Sequence, residues 1–284
     1  MTRISVIIPV FNRATIISRA LDSVFAQDVP LDSSIKIIVV DDGSSDDLAA
    51  AVARYGERVT VIRHARNSGA GAARNTGITA ADGDYIAFLD SDDIWLPGKL
   101  ATQIDAMRAN KWTASCTAYV LARAGQPDKV SPYYTTRALD FSDLVWGCFV
   151  SPGSTMMFER SVFDDIGPLD TTLPRLEDWD WLLRYARKHT LGFLAEPLAR
   201  IEVSPYTDAD KVLAAIKAMR AKHAQAMTAR DRRHFTAALD LERAGVLLRR
   251  GDYIGGVPAL LACICRAPFG NSALKAILYN RWTR

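Results

Sequence analysis

Tyr85-Ile86-Ala87-Phe88-Leu89-Asp90-Ser91-Asp92-Asp93-Ile94-Trp95 joins an apolar run to three carboxylates in four residues. The apolar run reads as a buried strand. Carboxylates crowded at its end repel one another. The arrangement is stable when a cation neutralises them, when one binds a proton, or when they splay into water. Hard oxygen ligands suit Mg2+ or Mn2+, and Mg2+ commonly joins one or two carboxylates to substrate phosphates. The stretch points to a metal-assisted site for a phosphorylated ligand. On these residues alone, a solvated turn with Asp capping the next helix is the alternative.

Working outward, three more strand-like runs precede it, at Ile4–Val10, Ile35–Val40 and Val59–Arg63. Helical patterns separate them over Thr15–Gln27, Asp46–Tyr55 and Ser68–Ala81. Near-continuous apolar strands alternating with helices predict an α/β fold, a Rossmann-like, mostly parallel sheet flanked by helices. Such sheets bind ligands at the carboxyl ends of their strands. Further on, Pro97–Asn110 and Leu176–Lys188 read as helices, Trp112–Ala122 and Ser154–Phe158 as strands, and 123–137 as a loop. Leu191–Val203 reads as extended with a proline break. From Ala209 the pattern is helical, interrupted at Arg230-Asp231, Gly251-Asp252 and Pro268-Phe269-Gly270. No internal repeat is visible.

The 284 residues suffice for a sizeable core. A strand-like run begins almost at once, so no secretory signal is expected. The longest uncharged apolar stretch, Tyr253–Cys265, is 13 residues, too short to cross a bilayer. Cys116, Cys148, Cys263 and Cys265 lack zinc spacing and read as thiols of a reducing compartment, so a cytoplasmic location is expected. Charge is uneven. From Lys211 onward there are 14 Lys and Arg against 4 Asp and Glu, whereas the first 210 residues are net acidic. Two different partners are implied.

The strand ends carry the chemistry. The first ends in Pro9-Val10-Phe11-Asn12, the second in Asp41-Asp42-Gly43-Ser44-Ser45-Asp46 and the fourth in Asp90–Asp93. Asp41-Asp42 alone fits a turn, with Ser44 or Ser45 capping the next helix. Gly69-Ala70-Gly71-Ala72-Ala73-Arg74-Asn75 mimics a dinucleotide fingerprint but has Arg74 where the third glycine belongs. Arg74 suits a diphosphate; a surface pairing with Asp82 or Asp84 is the alternative. Glu177-Asp178-Trp179-Asp180-Trp181 opens a later helix, where the macrodipole favours carboxylates. Its tryptophans would also suit a sugar ring, and burial would raise a neighbouring carboxylate toward general-base strength. Ser154 reads as a loop-to-strand junction or as a border of an acceptor site. His64, His189, His223 and His234 have no ligand-like spacing and read as surface or core residues.

Five motifs then stand in order: Val6-Ile7-Ile8-Pro9-Val10-Phe11-Asn12, Val39-Val40-Asp41-Asp42-Gly43-Ser44, Ala73-Arg74-Asn75-Thr76-Gly77, Leu89-Asp90-Ser91-Asp92-Asp93 and Glu177-Asp178-Trp179. Together they resemble the family 2 glycosyltransferases over roughly residues 3 to 200. The resemblance implies the GT-A fold for residues 1–205, with a nucleotide-binding half at 1–110 and an acceptor half at 111–205. Residues 206–284 would form a C-terminal helical extension. It also implies inverting transfer of a sugar from a nucleotide-diphospho donor, expected to be UDP-linked, to an acceptor hydroxyl in polysaccharide or glycoconjugate biosynthesis. Pro9, Phe11, Asn12, Asp42, Arg74, Asp90 and Ser91 match nucleotide-sugar positions. Asp92 matches a ligand for Mn2+ or Mg2+, and Asp178 matches the catalytic base. Glu177, Trp179 and Ser154 are assigned to the acceptor side.

The expected partners are the donor and a saccharide or lipid-linked saccharide acceptor. The basic tail fits peripheral contact with an anionic membrane surface, a helical subdomain or a homodimer. No nucleic-acid recognition module is visible. Two rival functions stay open. Asp90–Ile94 loosely resembles the nucleophile loop of haloacid-dehalogenase-type phosphohydrolases, although three strands come earlier than that loop should allow. A non-catalytic sugar-nucleotide-binding protein is the other.

Overall fold

β1 (Thr2–Val10) is buried along almost its whole length, the signature of a central strand covered on both faces. The computed structural model describes residues 1–29, 32–131, 135–203 and 208–267. They form two compact units, each built from discontinuous segments.

The first unit comprises residues 1–138, 150–169 and 189–203. In chain order β1 leads to α1 (Ile17–Phe25), β2 (Ser33–Asp41), α2 (Leu48–Ala53) and β3 (Val59–Arg63). Then follow α3 (Ala70–Ala80), β4 (Tyr85–Phe88), β5 (Ile94–Trp95), α4 (Lys99–Asn110) and β6 (Ala114–Ala122). Two short strands, β7 (Lys129–Val130) and β8 (Arg137–Leu139), edge the sheet through β6 and β10. The strand order is β3-β2-β1-β4-β9-β6-β10-β5, where β9 is Met157–Glu159 and β10 is Leu191–Glu202. β1 pairs in parallel with β2 and β4, and β2 with β3. β9 runs antiparallel to both β4 and β6, so the sheet is mixed. The strand in β10 continues through Pro197, where the expected break becomes two register shifts between Leu194 and Ala199. Proline has no N–H for the ladder, and a bulge absorbs it.

The α1 apolar stripe, Ile17, Ala20, Leu21 and Val24, packs into the core with Ile4, Val6 and Ile8. α2 is capped by Asp47, whose side chain accepts from Ala50 N at 3.0 Å, so neither Ser44 nor Ser45 is the cap. Before β9 the chain makes a short helical turn, α6 (Pro152–Thr155), where the sequence reads as strand from Ser154. α7 (Val162–Ile166) follows β9.

The second unit comprises 139–149, 170–188 and 204–284. It holds α5 (Phe141–Leu144), α8 (Glu177–Tyr185), α9 (Ala209–His223), α10 (Ala229–Arg249) and α11 (Tyr253–Arg266). The break between α9 and α10 falls at residues 224–228 and not at Arg230-Asp231. Thr228 is the reason: its hydroxyl accepts from Asp231 N at 3.1 Å and starts α10 there. The break at Gly251-Asp252 is present, with Gly251 at φ +81° and Asp252 capping α11. Pro268-Phe269-Gly270 lies outside the described residues. Among the described residues no helix is long and apolar enough to cross a membrane.

Candidate active site

Parallel register puts the ends of β1, β2 and β4 on one sheet edge: Val10 lies opposite Asp41, and Ile7 opposite Phe88. Pro9 is buried in β1, two residues beyond the end of the β4 pairing, where its missing N–H is tolerated. Phe11 follows the strand and is 44% exposed, leaving a ring face open at this edge. Asn12 has φ 52° and ties the two loops together. Its N–H donates to Ser44 Oγ at 2.9 Å, and its Oδ1 accepts from Ser45 N at 2.8 Å.

Asp41 and Asp42 are both buried but face different partners. Asp41 pairs with Arg63 at 3.0 Å and accepts from Ser44 N at 2.8 Å. Asp42 accepts from Ser68 N at 2.9 Å and Gly69 N at 2.8 Å, and its Oδ1 lies 2.7 Å from His64 Nδ1. A carboxylate offers about four lone-pair sites, so Oδ2 of Asp42 keeps one for a further donor. His64 Nε2 lies 2.8 Å from Thr76 Oγ1 on α3. An ionised Asp42 only accepts, so Nδ1 of His64 is the donor in that contact. Gly43, at φ +77°, makes room: a β-carbon there would stand 2.7 Å from the Arg66 carbonyl carbon. His64 is therefore neither a surface nor a plain core residue. The signal was its place directly after the last residue of β3, on the same edge.

The carboxylates after β4 divide into two kinds. Asp90, 36% exposed at its side chain, pairs with Arg74 NH2 at 2.6 Å. Arg74 is buried on α3 and stands over the Phe88 ring, so the fingerprint-like helix delivers a guanidinium to this edge. Asp82 and Asp84 instead pair with Lys36 and Arg3. Asp92, 27% exposed, lies 3.5 Å from Arg13. Burial, and then the charge of Asp90, pushes its carboxyl above the ordinary range. Asp93 is buried, accepting from Ser154 Oγ at 2.5 Å and Glu202 N at 2.8 Å. Burial first, and then Asp90, raises it well above the usual value. Ser91 is buried between them in sequence.

Ser154 is fully buried rather than facing an acceptor. Its Oγ accepts from Asp90 N at 3.0 Å while donating to Asp93, and its carbonyl accepts from Trp95 Nε1 at 2.8 Å. It holds the acidic loop in shape. Among the described residues no group of three or more His, Cys, Asp and Glu forms a protein cage for a metal. Asp90 and Asp92 nevertheless make a fitting donor pair: two partly exposed hard-oxygen ligands whose mutual repulsion a divalent cation would relieve.

In the second unit, Glu177 and Asp178 are half-buried in the first turn of α8. Leu176, at φ 65°, precedes them. An aliphatic residue in that region costs on the order of 1 kcal/mol and marks a backbone held by its surroundings. Asp178 Oδ1 accepts from Trp179 N at 2.7 Å. The tryptophans are not a sugar platform. Trp179 is fully buried, donates to Leu144 O at 2.8 Å and packs on Phe235. Trp181 is buried and stacked on Tyr185. Asp180, also buried, anchors α8 to α9 through His223 at 2.7 Å and Lys222 at 2.8 Å. Burial opposes its charge, yet these partners with Arg184 hold it below the ordinary value.

Residues 5–167 match the description Glycosyl transferase family 2. The chain belongs to this family. Glu177-Asp178-Trp179 lies beyond the matched segment. An uncharacterized glycosyltransferase of Rickettsia conorii is 42% identical over 215 residues, covering 73% of this chain and 34% of that protein. The succinoglycan biosynthesis protein ExoW of Rhizobium meliloti is 41% identical over 123 residues, 41% of this chain and 37% of ExoW. The chain thus spans about a third of the length of these relatives. Among solved structures, Staphylococcus aureus TarS in complex with UDP-GlcNAc superposes with TM-score 0.65 at 19% identity, covering 93% of this chain and 81% of that one. The mannosyltransferase PcManGT of Pyrobaculum calidifontis, in complex with GDP-Man and Mn2+, gives 0.62 at 19% identity, covering 98% and 79%. The family 2 chain therefore has the GT-A fold.

Proposed function

We propose that this chain is an inverting glycosyltransferase that moves a sugar from a UDP-linked donor to an acceptor hydroxyl, in polysaccharide or glycoconjugate biosynthesis. One observation carries the reading. Asp42, Arg74, Asp90 and Asp92 gather at one sheet edge, with a lone pair of Asp42 still unclaimed. That lone pair suits one N–H donor, such as the imide of uracil, and the exposed Phe11 ring gives the base a face to stack on. Arg74, set by Asp90, directs positive charge toward the diphosphate. Asp92 with Asp90 would hold Mn2+ or Mg2+, which when bound supplies charge neutralisation for a departing diphosphate.

Asp178 takes the proton of the acceptor hydroxyl. The acceptor oxygen forms the new bond to the anomeric carbon from the face opposite the diphosphate. The bond from that carbon to the diphosphate oxygen breaks, and the nucleoside diphosphate leaves with the electron pair. Support for the donor class comes from the UDP-GlcNAc held by TarS and the GDP-Man and Mn2+ held by PcManGT. Support for the pathway class is the name of ExoW.

The test is a thermal-shift screen of UDP- and GDP-sugars with Mn2+, followed by assay of nucleotide release with candidate saccharide acceptors. Stabilisation by a nucleotide sugar and acceptor-dependent release of the nucleoside diphosphate are expected. Release of free phosphate from simple phosphomonoesters, with no response to nucleotide sugars, would refute the reading.

A further inference from the structure

α11 is amphipathic in reverse. Its inward side presents Gly256, Ala259 and Cys263, followed by Ala267, and packs with Ala237 and Leu241 of α10. Its outward side carries the bulk: Tyr253 and Ile254 are 67% and 91% exposed, and Val257, Leu261 and Ile264 are also exposed. At about 100° per residue these five positions fall within roughly 100° of arc, a single stripe. No charged residue stands between Tyr253 and Cys265. Leu260 is the large apolar residue that turns partly inward, against the same cluster; a helix that still leaves five large apolar side chains in one outward stripe has a second apolar medium to meet.

The surroundings of the stripe are basic. Where α11 ends, Arg232, Arg233 and Arg266 line a groove with Thr236 and Cys265. Cys265 is exposed on the same side as the stripe. Arg232 closes the first turn of α10 and Arg233 opens the second, near the helix end that adds positive potential. Arg233 donates to the Arg266 carbonyl, and Arg266 pairs with Asp240, so the groove is held by its own frame. Asp231, bonded to the Thr228 cap, is the acidic group in that turn. Arg249 and Arg250 are exposed just before α11.

We propose that the α11 face docks in the plane of an anionic lipid bilayer, its stripe among the acyl chains and its arginine groove on phosphate headgroups. Apolar bulk rimmed by arginine matches such an interface. A helix of 14 residues is about 21 Å long, which suits lying in the interface and not spanning it. A second copy of the chain is the poorer occupant, since it would bring the same basic rim against itself. The inference does not depend on the catalytic reading.

Flotation of the full chain with vesicles of phosphatidylcholine, alone or mixed with phosphatidylglycerol, tests it. Recovery with the anionic vesicles at least ~10-fold above the neutral ones, and falling at high salt, is expected. The double variant Ile254→Asp, Leu261→Asp should lose that recovery while keeping its helical circular dichroism and melting temperature, because both side chains are solvent-facing. Arg232→Glu with Arg233→Glu should lose most of it. Recovery independent of vesicles, or a double variant that floats like the parent, would overturn the proposal. So would a dimer that the double variant dissociates without any vesicle binding, or flotation gained only after truncation beyond Ala267.

Discussion

A β-carbon placed on Gly153 would lie 2.1 Å from Oδ2 of Asp90. The α6 turn therefore approaches the acidic loop as closely as a glycine allows, and Ser154 beside it ties the same loop through Asp90 N and Asp93. Gly153→Ala must displace the Asp90 carboxylate and loosen its pair with Arg74. Turnover should fall by ~100-fold, the scale of a misplaced site group, with a melting temperature close to the parent. Steady-state kinetics beside a thermal melt will check this; full activity in a folded variant would remove Asp90 from the site.

Asp178→Asn keeps size and hydrogen bonding but cannot accept a proton. Donor affinity should be unchanged while turnover drops at least ~100-fold, the usual scale for loss of a general base. Isothermal titration of the nucleotide sugar together with a product assay separates the two effects. Near-normal turnover would end the role given to Asp178.

Asp92→Ala should abolish the response of donor binding to Mn2+, and a chelator should bring the parent to the same level. Titration of Mn2+ in a donor-binding assay reads both. Equal metal dependence in variant and parent would count against Asp92 as a ligand.

His64 acts through Asp42. Removing it as His64→Ala takes away one donor to a buried carboxylate and cuts its link to Thr76. A lost hydrogen bond to a buried charged group costs about 1–3 kcal/mol, so donor KM should rise by ~10-fold or more with kcat little changed. A fall in kcat alone would place His64 elsewhere in the reaction.

Lys99 is fully buried, donates to Gln103 Oε1 at 2.5 Å and stands over the Trp95 ring. Burial lowers it from 10.5 to about 7. Between those values the unfolded chain holds the proton and the folded chain does not, so stability rises with pH through that window. Lys99→Met should flatten the rise, measured as chemical-denaturation midpoints from pH 7 to pH 10. A slope equal to the parent's would show that Lys99 keeps its proton in the folded state.

The parallel part of the sheet was legible because Val6–Val10, Ile37–Val40 and β4 are buried on both faces, so these apolar runs are uninterrupted. Family membership was legible from motifs at their carboxyl ends. The roles of Trp179 and Ser154 were not. An indole beside carboxylates reads as a sugar wall until Leu144 O and Phe235, distant in sequence, are found against it. Ser154 lies 61 residues from Asp93, and only the pairing of β9 with β4 brings them together. His64 escaped notice because one histidine carries no spacing signal, although its position after β3 did. The start of α10 was misplaced because charged residues resemble a loop, whereas Thr228 had already capped the helix.

The reversed direction of β9 has a consequence for how the acidic loop can vary. A parallel neighbour would have left its own carboxyl end beside Asp90; β9 instead leads with its amino end and carries Gly153 and Ser154 there just ahead of its first residue. Insertions among residues 123–128, the loop between β6 and β7, can lengthen the excursion before α6 without shifting that alignment, whereas a single residue gained or lost between Ser154 and Met157 would pull the serine out of reach of both aspartates. Diversification is free on one side of the turn and forbidden on the other.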